Sequence, residues 1–509
     1  MSSRIVDAAD AMVSGSSDLV VLDGVGFAVT DVVRLADGDA RPVPGTDAMK
    51  RATESWDAAR QIAATGRVYG RSTGVGANRN EDVPTEAAAE HGLRLLRSHA
   101  GAIGDELPAR EVRAMLAVRA NQLLAGGAGL RPTVVTALCE ALESGVHPVV
   151  NEFGSVGTGD IAALAQVGLA LAGERPWRGA ESGLSGVPEP QPLDNNDALA
   201  LISSNALTLG QSALALHELR GLIGATQVVG ALSLLAVDGS HEPFAAPVHA
   251  ARPHRGSTEV ARRMRELIGA ADRPTPPLGR IQDPYGFRCL PQIHGPAHDA
   301  ADALEEVLAI EINAAAENPF ISAEDMTAYH HGGFYQAQLA LALDHFRLSL
   351  TQVARLSTSR LSSLNEPAFT RLKPFLADSE PASSGVMILE YAAAAALGDL
   401  RAFSAPASLG HAVLSRGVEE QASFASLAAR QTLRACRAYR LVVGCELVAA
   451  VRALRQRDLR PDPELPVGRA LELAEAVLDD DPADRPLTDD VTAAAGLLDR
   501  FTEIWRGNT

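Results

Sequence analysis

The sequence predicts a mainly α-helical protein, and three observations carry that expectation. Hydrophobic residues make up 46% of the 509 positions while aromatics supply only 4%. Alanine and leucine dominate the long apolar segments, which favours helices that pack closely through small side chains. Finally, the glycine-rich loop Gly154-Ser155-Val156-Gly157-Thr158-Gly159 feeds an apolar, alanine-rich run headed by Asp160. Three glycines in six residues let the backbone turn tightly, and a polar residue at the head of such a run marks a helix start. The length is sufficient for a large core and roughly two to four domains.

Composition removes several function classes. A formal net charge of −18, with no basic run interleaved with aromatics, argues against a nucleic-acid partner. Cys139, Cys289, Cys436 and Cys445 form no C-x-x-C pair, which points to reduced thiols and a cytoplasmic location. The start Met1-Ser2-Ser3-Arg4-Ile5-Val6-Asp7 has its acid too early for a secretory signal, and no uncharged apolar run is expected to span a membrane. Lysine occurs only at Lys50 and Lys373, neither in a convincing Schiff-base setting, so pyridoxal phosphate chemistry is not expected.

In chain order, 19–22 and 27–30 read as strands and 47–65 as a helix. A second glycine-rich loop follows, Tyr69-Gly70-Arg71-Ser72-Thr73-Gly74-Val75-Gly76, where Tyr69 by itself is a loop aromatic. The stretch 91–101 contains Ser98-His99, a histidine suited to the carbonyls at a helix C-terminus. A helix over 113–124 is closed by Gly126-Gly127. The helix from Ile161 ends near Gly173-Glu174, residues 175–195 are a Pro/Gly-rich linker, and one long helix runs from about Asn205 to Val237. His241, His249 and His254 lie in a His/Arg/Pro-containing excursion over 241–280. Their spacing matches no common zinc arrangement, so no metal is expected. A long helix passes Leu356, and the polar tail from about 457 holds a short amphipathic helix over 491–501. The expected division is 1–200, 201–456 and 457–509.

Several motifs resemble those of the histidine and aromatic amino acid ammonia-lyases. The run at 154–165 resembles Gly-Ser-Val-Gly-Ala-Ser-Gly-Asp-Leu-Ala-Pro-Leu, except that Thr158-Gly159 stands where the family has Ala-Ser-Gly. The loop at 69–76 resembles Tyr-Gly-Val-Asn-Thr-Gly-Phe-Gly. The stretch Asp197-Ala198-Leu199-Ala200-Leu201-Ile202-Ser203 matches Glu-Gly-Leu-Ala-Leu-Ile-Asn, with Ser203 on the asparagine. Gln282-Asp283-Pro284-Tyr285-Gly286-Phe287-Arg288-Cys289 and Pro291-Gln292-Ile293-His294-Gly295 form the longest match. Further likenesses are Glu311-Ile312-Asn313 with Glu317-Asn318-Pro319, Phe334 in place of the phenylalanine of Gly-Gly-Asn-Phe-His-Gly, Ser384-Gly385-Val386-Met387, and 417–424 in place of Gln-Glu-Asp-His-Val-Ser-Met.

The resemblance implies an ammonia-lyase/fumarase-like fold with a central bundle of long antiparallel helices, a homotetramer, and active sites built from three subunits. It assigns catalysis to Tyr69 as base, with Tyr285 and Glu420, and substrate contacts to His99, Gln282, Arg288, Asn313, Phe334, Met387 and Ser203. An arginine suits a carboxylate through its planar fork. His99, Glu420 and Met387 tilt the ring specificity toward histidine or tyrosine. The family's electrophile, methylidene-imidazolone, forms from Ala-Ser-Gly, and this chain departs from the pattern at both Thr158-Gly159 and Ser203. Three functions follow. The favoured one is a lyase-family enzyme working on a small carboxylate by elimination or addition without that cofactor. The second is a true ammonia-lyase or aminomutase whose electrophile comes from Gly157, Thr158 and Gly159. The third is a non-catalytic binding protein on the lyase fold.

Overall fold

A computed structural model describes residues 18–179, 186–275 and 279–507, so the N-terminal residues 1–7 and part of the 175–195 linker lie outside the described residues. The protein is 61% helical. It divides into two compact units, each assembled from separated stretches of chain, whereas the sequence division follows consecutive segments.

The first unit takes the chain up to His217 with Glu305–Leu343 and Pro406–Arg430. Its centre is the helix Ala109–Leu124, buried over nearly its whole length and carrying Arg113, Arg119, Asn121 and Gln122 inside. Buried polar side chains need partners, and these find them at the open ends of other helices. Arg113 donates from Nε and Nη2 to Ala36 O and Leu35 O (2.9 and 2.8 Å), which closes the end of the helix Val29–Asp37. Arg119 does the same for Asn195–Ile202, through Leu201 O at 3.0 Å and Ala200 O. It also pairs with Glu317 at 2.7 Å.

The strand Leu19–Leu22 forms as read, pairing in parallel with Arg41–Pro44. The strand expected at 27–30 does not form. Val29 opens a helix instead, because the Asp31 carboxylate returns to the Ala28 amide (3.2 Å) and Val29, Val32, Val33, Leu35 and Ala36 are buried. Helices Thr46–Thr65 and Ile161–Leu171 lie where the sequence put them.

The second unit is built from most of the helices Ala206–Ala236, Leu290–Glu311, Ala337–Leu364 and Ala425–Gln456, with Ile388–Phe403 and the C-terminal Thr488–Arg506. A fully buried ion pair crosses its core: Arg360 donates from Nε and Nη2 to the Glu446 carboxylate (2.6 and 2.8 Å). Ser233 and Ser357 donate to the same carboxylate at 2.7 and 2.6 Å. Such a pair is tolerable inside a protein because all its strong acceptor positions are used. The stretch Asn195–Ala236, broken at 203–205, is long and apolar enough by composition alone to pass as a membrane span. It is 89% buried in the protein over its most apolar window, as a core helix is.

Candidate functional site

The first unit encloses a cavity of about 690 Å³ lined by Tyr69, Arg79, Thr158, Ser203, Asn318, His330, Phe334, Tyr335, Glu419 and Glu420, among others. Tyr69 reaches it on a loop fixed from behind. Gly70 has φ +68, and a Cβ there would sit 2.1 Å from Leu199 Cδ2, so only glycine makes this turn. The Arg71 guanidinium is buried and donates to Gly129 O (3.2 Å), Ala128 O (2.7 Å) and Asn196 O (2.6 Å). Burial pulls its pKa down to about 10, which leaves it cationic at neutral pH.

The Tyr69 hydroxyl accepts the Gly76 amide hydrogen at 2.8 Å. Its pKa is raised above the ordinary phenol value, mainly by burial; the Gly76 bond works against the rise, Glu419 adds to it and Arg79 opposes it. Within the chain's own cavity, ionising this phenol is therefore harder than in water.

Thr158 and Gly159, from the loop Gly157-Thr158-Gly159, line the same cavity. Gly157 (φ +89) and Gly159 (φ +105) both take the left-handed backbone region. Ser423 Oγ donates to Gly157 O (2.9 Å), Ser155 Oγ donates to Gly159 O (3.0 Å), and the Gly157 amide donates to Ser155 Oγ (3.1 Å). The Thr158 hydroxyl has no hydrogen-bond partner among the described residues and lines the cavity. Asp160 stands at the helix head, but its carboxylate serves Thr208, accepting from the amide (2.8 Å) and the hydroxyl (2.9 Å) rather than from its own helix. Burial pushes this carboxyl up against those donors.

Between Ile202 and Ala206 the chain leaves the helix: Ser203 has φ −80 and ψ 69. Were this stretch helical, Asn205 would point roughly 200° from Ser203. Because it is not, Asn205 Oδ1 receives the Gly159 amide hydrogen at 3.1 Å, and Asn205 Nδ2 donates to Phe334 O at 2.8 Å. Ser203 Oγ accepts the Asn318 amide hydrogen at 3.0 Å. The side chain that holds the glycine loop is therefore two positions beyond the one the motif marks.

Glu420 lines the cavity, and so does Glu419, which sequence reasoning passed over. Ungapped register against Gln-Glu-Asp-His-Val-Ser-Met, fixed by Ser423, sets the motif's glutamate on Glu419. Its segment is tied to the tyrosine loop, since Ala77 N donates to Ser415 Oγ at 3.1 Å. Arg79, His330 and Tyr335 are further lining residues that no motif flagged; His330 meets the Tyr69 ring edge-on at 6.4 Å.

Other expected residues lie elsewhere. His99 ends its helix with Nδ1 2.9 Å from Leu95 O, the helix-terminal arrangement open to any histidine there. Asn313 spends its amide on the backbone of Phe27, accepting at 3.1 Å and donating at 2.9 Å, and accepts from Asn121 Nδ2 at 2.9 Å. Gln282, Tyr285, Arg288 and Met387 belong to the second unit. Tyr285 is 68% exposed, with the Arg288 guanidinium 5.0 Å from its ring centroid, and Arg288 Nε donates to Asp283 O at 2.9 Å.

Comparison with known proteins gives consistent matches. The family profile described as aromatic amino acid lyase matches residues 27–478. A histidine ammonia-lyase of Geobacillus kaustophilus is 34% identical over 453 residues, 86% of this chain and 89% of that protein. Among solved structures, the ergothioneine-degrading enzyme ergothionase of Treponema denticola, in complex with desmethyl-ergothioneine sulfonic acid, superposes with a TM-score of 0.88. It is 26% identical, over 96% of this chain and 99% of that one. Histidine ammonia-lyase of Trypanosoma cruzi follows at TM-score 0.86 and 27% identity, over 96% and 94%.

Proposed function

Because this chain belongs to the aromatic amino acid lyase family and is a carbon–nitrogen lyase, we propose that it acts on a small carboxylate with a histidine- or tyrosine-like ring, by elimination or the reverse addition, without methylidene-imidazolone. The observation that carries this reading is the Thr158-Gly159 loop, which lines the same cavity as Tyr69. A methylidene group requires a serine in the middle of the triad, and Thr158 has a methyl on its β-carbon, so closure there would give an ethylidene group instead. The amide that would have to close the ring, Gly159 N–H, is held by Asn205. These residues do not fit the family's electrophile, and no step is routed through it.

The chemistry left to the chain is acid/base. Tyr69 is the base for the β-proton, and Glu420 together with Glu419 faces the nitrogen that departs. The substrate carboxylate is held by Arg288, with Gln282 and Tyr285 near the reacting centre. In this reading other subunits of a homotetramer supply these three. Relatives named for histidine and for ergothioneine share an imidazole ring, which supports the ring assignment. Four buried free thiols suit a reducing compartment, and we place the enzyme in the cytoplasm.

A second reading, an ammonia-lyase or aminomutase with an electrophile from Gly157-Thr158-Gly159, draws on the Ser423 hydroxyl, which polarises the Gly157 carbonyl. Intact mass with peptide mapping over 151–175 separates the two. An unmodified mass is expected. A deficit of two waters, roughly 36 Da, would overturn the cofactor-free reading, as would ammonia release from histidine, tyrosine or phenylalanine. The lyase assignment sets aside a non-catalytic binding protein.

A further inference from the structure

The motif quoted for the tyrosine loop has valine at its third position, and this chain has Arg71 there. The Arg71 guanidinium is buried, and its hydrogen-bond acceptors are backbone carbonyls from two segments. Ala128 and Gly129 belong to the loop after the helix Ala109–Leu124, and Asn196 to the first turn of the helix Asn195–Ile202. The Arg71 carbonyl is in turn taken by the Asn195 side-chain amide, so the residue is clasped at both ends. Asp197, Asp194 and Glu317 supply balancing charge through space. A buried cation is a poor way to gain stability, because an apolar side chain of similar size often serves as well or better. What the planar fork adds is direction: donors fixed in one plane and aimed at two segments leave the backbone that carries them a single seat.

Tyr69 shares that seat. The Arg71 and Ser72 amides both donate to Val68 O (3.1 and 3.0 Å), and the Val68 amide donates back to Ser72 Oγ at 2.8 Å, so 68–72 is one closed turn with Tyr69 inside it. The Tyr69 side chain lines the cavity together with Leu199 and Ser203, one inside the helix that Arg71 grips and the other at its end. Resting on the reading of Tyr69 as the base, we infer that Arg71 is a positioning residue, which fixes the phenol in place against the helix Asn195–Ile202. Proton transfer demands that placement, since a shift of about 1 Å in a reacting group can cost about a hundredfold in rate.

The test uses the purified full chain, Arg71→Met and Arg71→Lys, each also made with Tyr69→Phe so that subtraction isolates the Tyr69 phenol in an absorbance titration. Hydrogen exchange over 69–83 is followed by mass spectrometry. In Arg71→Met the peptide carrying the Gly76 amide, whose acceptor is the Tyr69 hydroxyl, should lose protection by about tenfold or more, with the helix Ala109–Leu124 unchanged. Glu419, Glu420, Arg79 and His330 stay in place around the ring in every variant. Burial is the largest cause of the raised Tyr69 pKa, so releasing the ring should move its ionisation down toward the ordinary phenol value. Arg71→Lys keeps a charge but cannot serve both segments; it should show the same two changes in smaller measure, and it carries the test if Arg71→Met does not fold. Unchanged exchange and titration in a folded variant would overturn the inference, as would an equal loss of protection in Ala109–Leu124. Neither measurement needs turnover, so the two assignments fail separately: if Tyr69→Phe alone leaves catalysis intact, the base assignment falls and the positioning of the phenol stands.

Discussion

Asn205 receives the Gly159 amide hydrogen at 3.1 Å while its own amide group donates to Phe334 O at 2.8 Å, so one buried side chain joins the glycine loop to the aromatic wall of the cavity. Removing it strands a donor and an acceptor together. Asn205→Ala is expected to cost about 2–4 kcal/mol, read from denaturant unfolding. Asn205→Asp keeps the acceptor for Gly159 and should lose less. Equal losses would show that the Gly159 contact is not the one that matters.

Gly157 leaves no room for a side chain. A Cβ would lie 2.2 Å from Ser423 Oγ and 2.9 Å from the amide nitrogens of Phe424 and Ala425, on a backbone at φ +89. Gly157→Ala should destabilise by about 2–4 kcal/mol. Gly101→Ala, where nothing lies within 4 Å, should stay within about 0.5 kcal/mol. Thermal unfolding of the two variants side by side gives the comparison.

If Tyr69 is the base, Tyr69→Phe lowers kcat by about 10²–10⁴ and leaves substrate affinity nearly unchanged. A matching fall in affinity would make the hydroxyl a binding group instead.

The pH dependence has a definite sign. The phenolate is the active form and its pKa is raised in the chain's own cavity, so kcat/KM should still be climbing at about pH 10, the ordinary phenol value. Glu419 pushes that pKa up and Arg79 pulls it down. Glu419→Gln should therefore shift the limb to lower pH, and Arg79→Gln to higher pH. A wild-type limb well below 10 would mean that a cation from outside this cavity reaches the phenol.

Arg119 and Glu317 are almost fully buried and pair at 2.7 Å. Arg119→Met leaves the carboxylate charged and alone and also uncovers Leu201 O and Ala200 O. A loss of about 3–5 kcal/mol is expected, measured by chemical denaturation.

Much of the helical framework was legible because runs of small apolar residues have few other ways to bury their surface. The positions of Tyr69, Thr158, Ser203, Phe334 and Glu420 around one cavity follow motifs that carry their own loops with them. The break at 203–205 was not legible, since apolar helical runs flank it on both sides and what holds the unwound form is long-range: Asn205 to Gly159 and Phe334, Ser203 to Asn318, and Ser204 to the Asp160 amide and Gln122. Phe27 to Thr30 misled for a local reason: β-branched residues resemble a strand until Asp31 is seen capping Ala28. Arg79 and His330 gave no signal because an exposed charge or a loop histidine has no periodicity to mark it. Asn313 shows the reverse case, a motif position whose amide is taken up in this chain by the backbone of Phe27.

The Asn205 bridge also bears on how such a site changes over generations. In this chain the glycine loop and Asn205 depend on each other, since without the Asn205 side chain the buried Gly159 amide loses its acceptor. Laboratory evolution of this protein should find ring and leaving-group preferences easy to shift and the electrophile hard to recover by single substitutions.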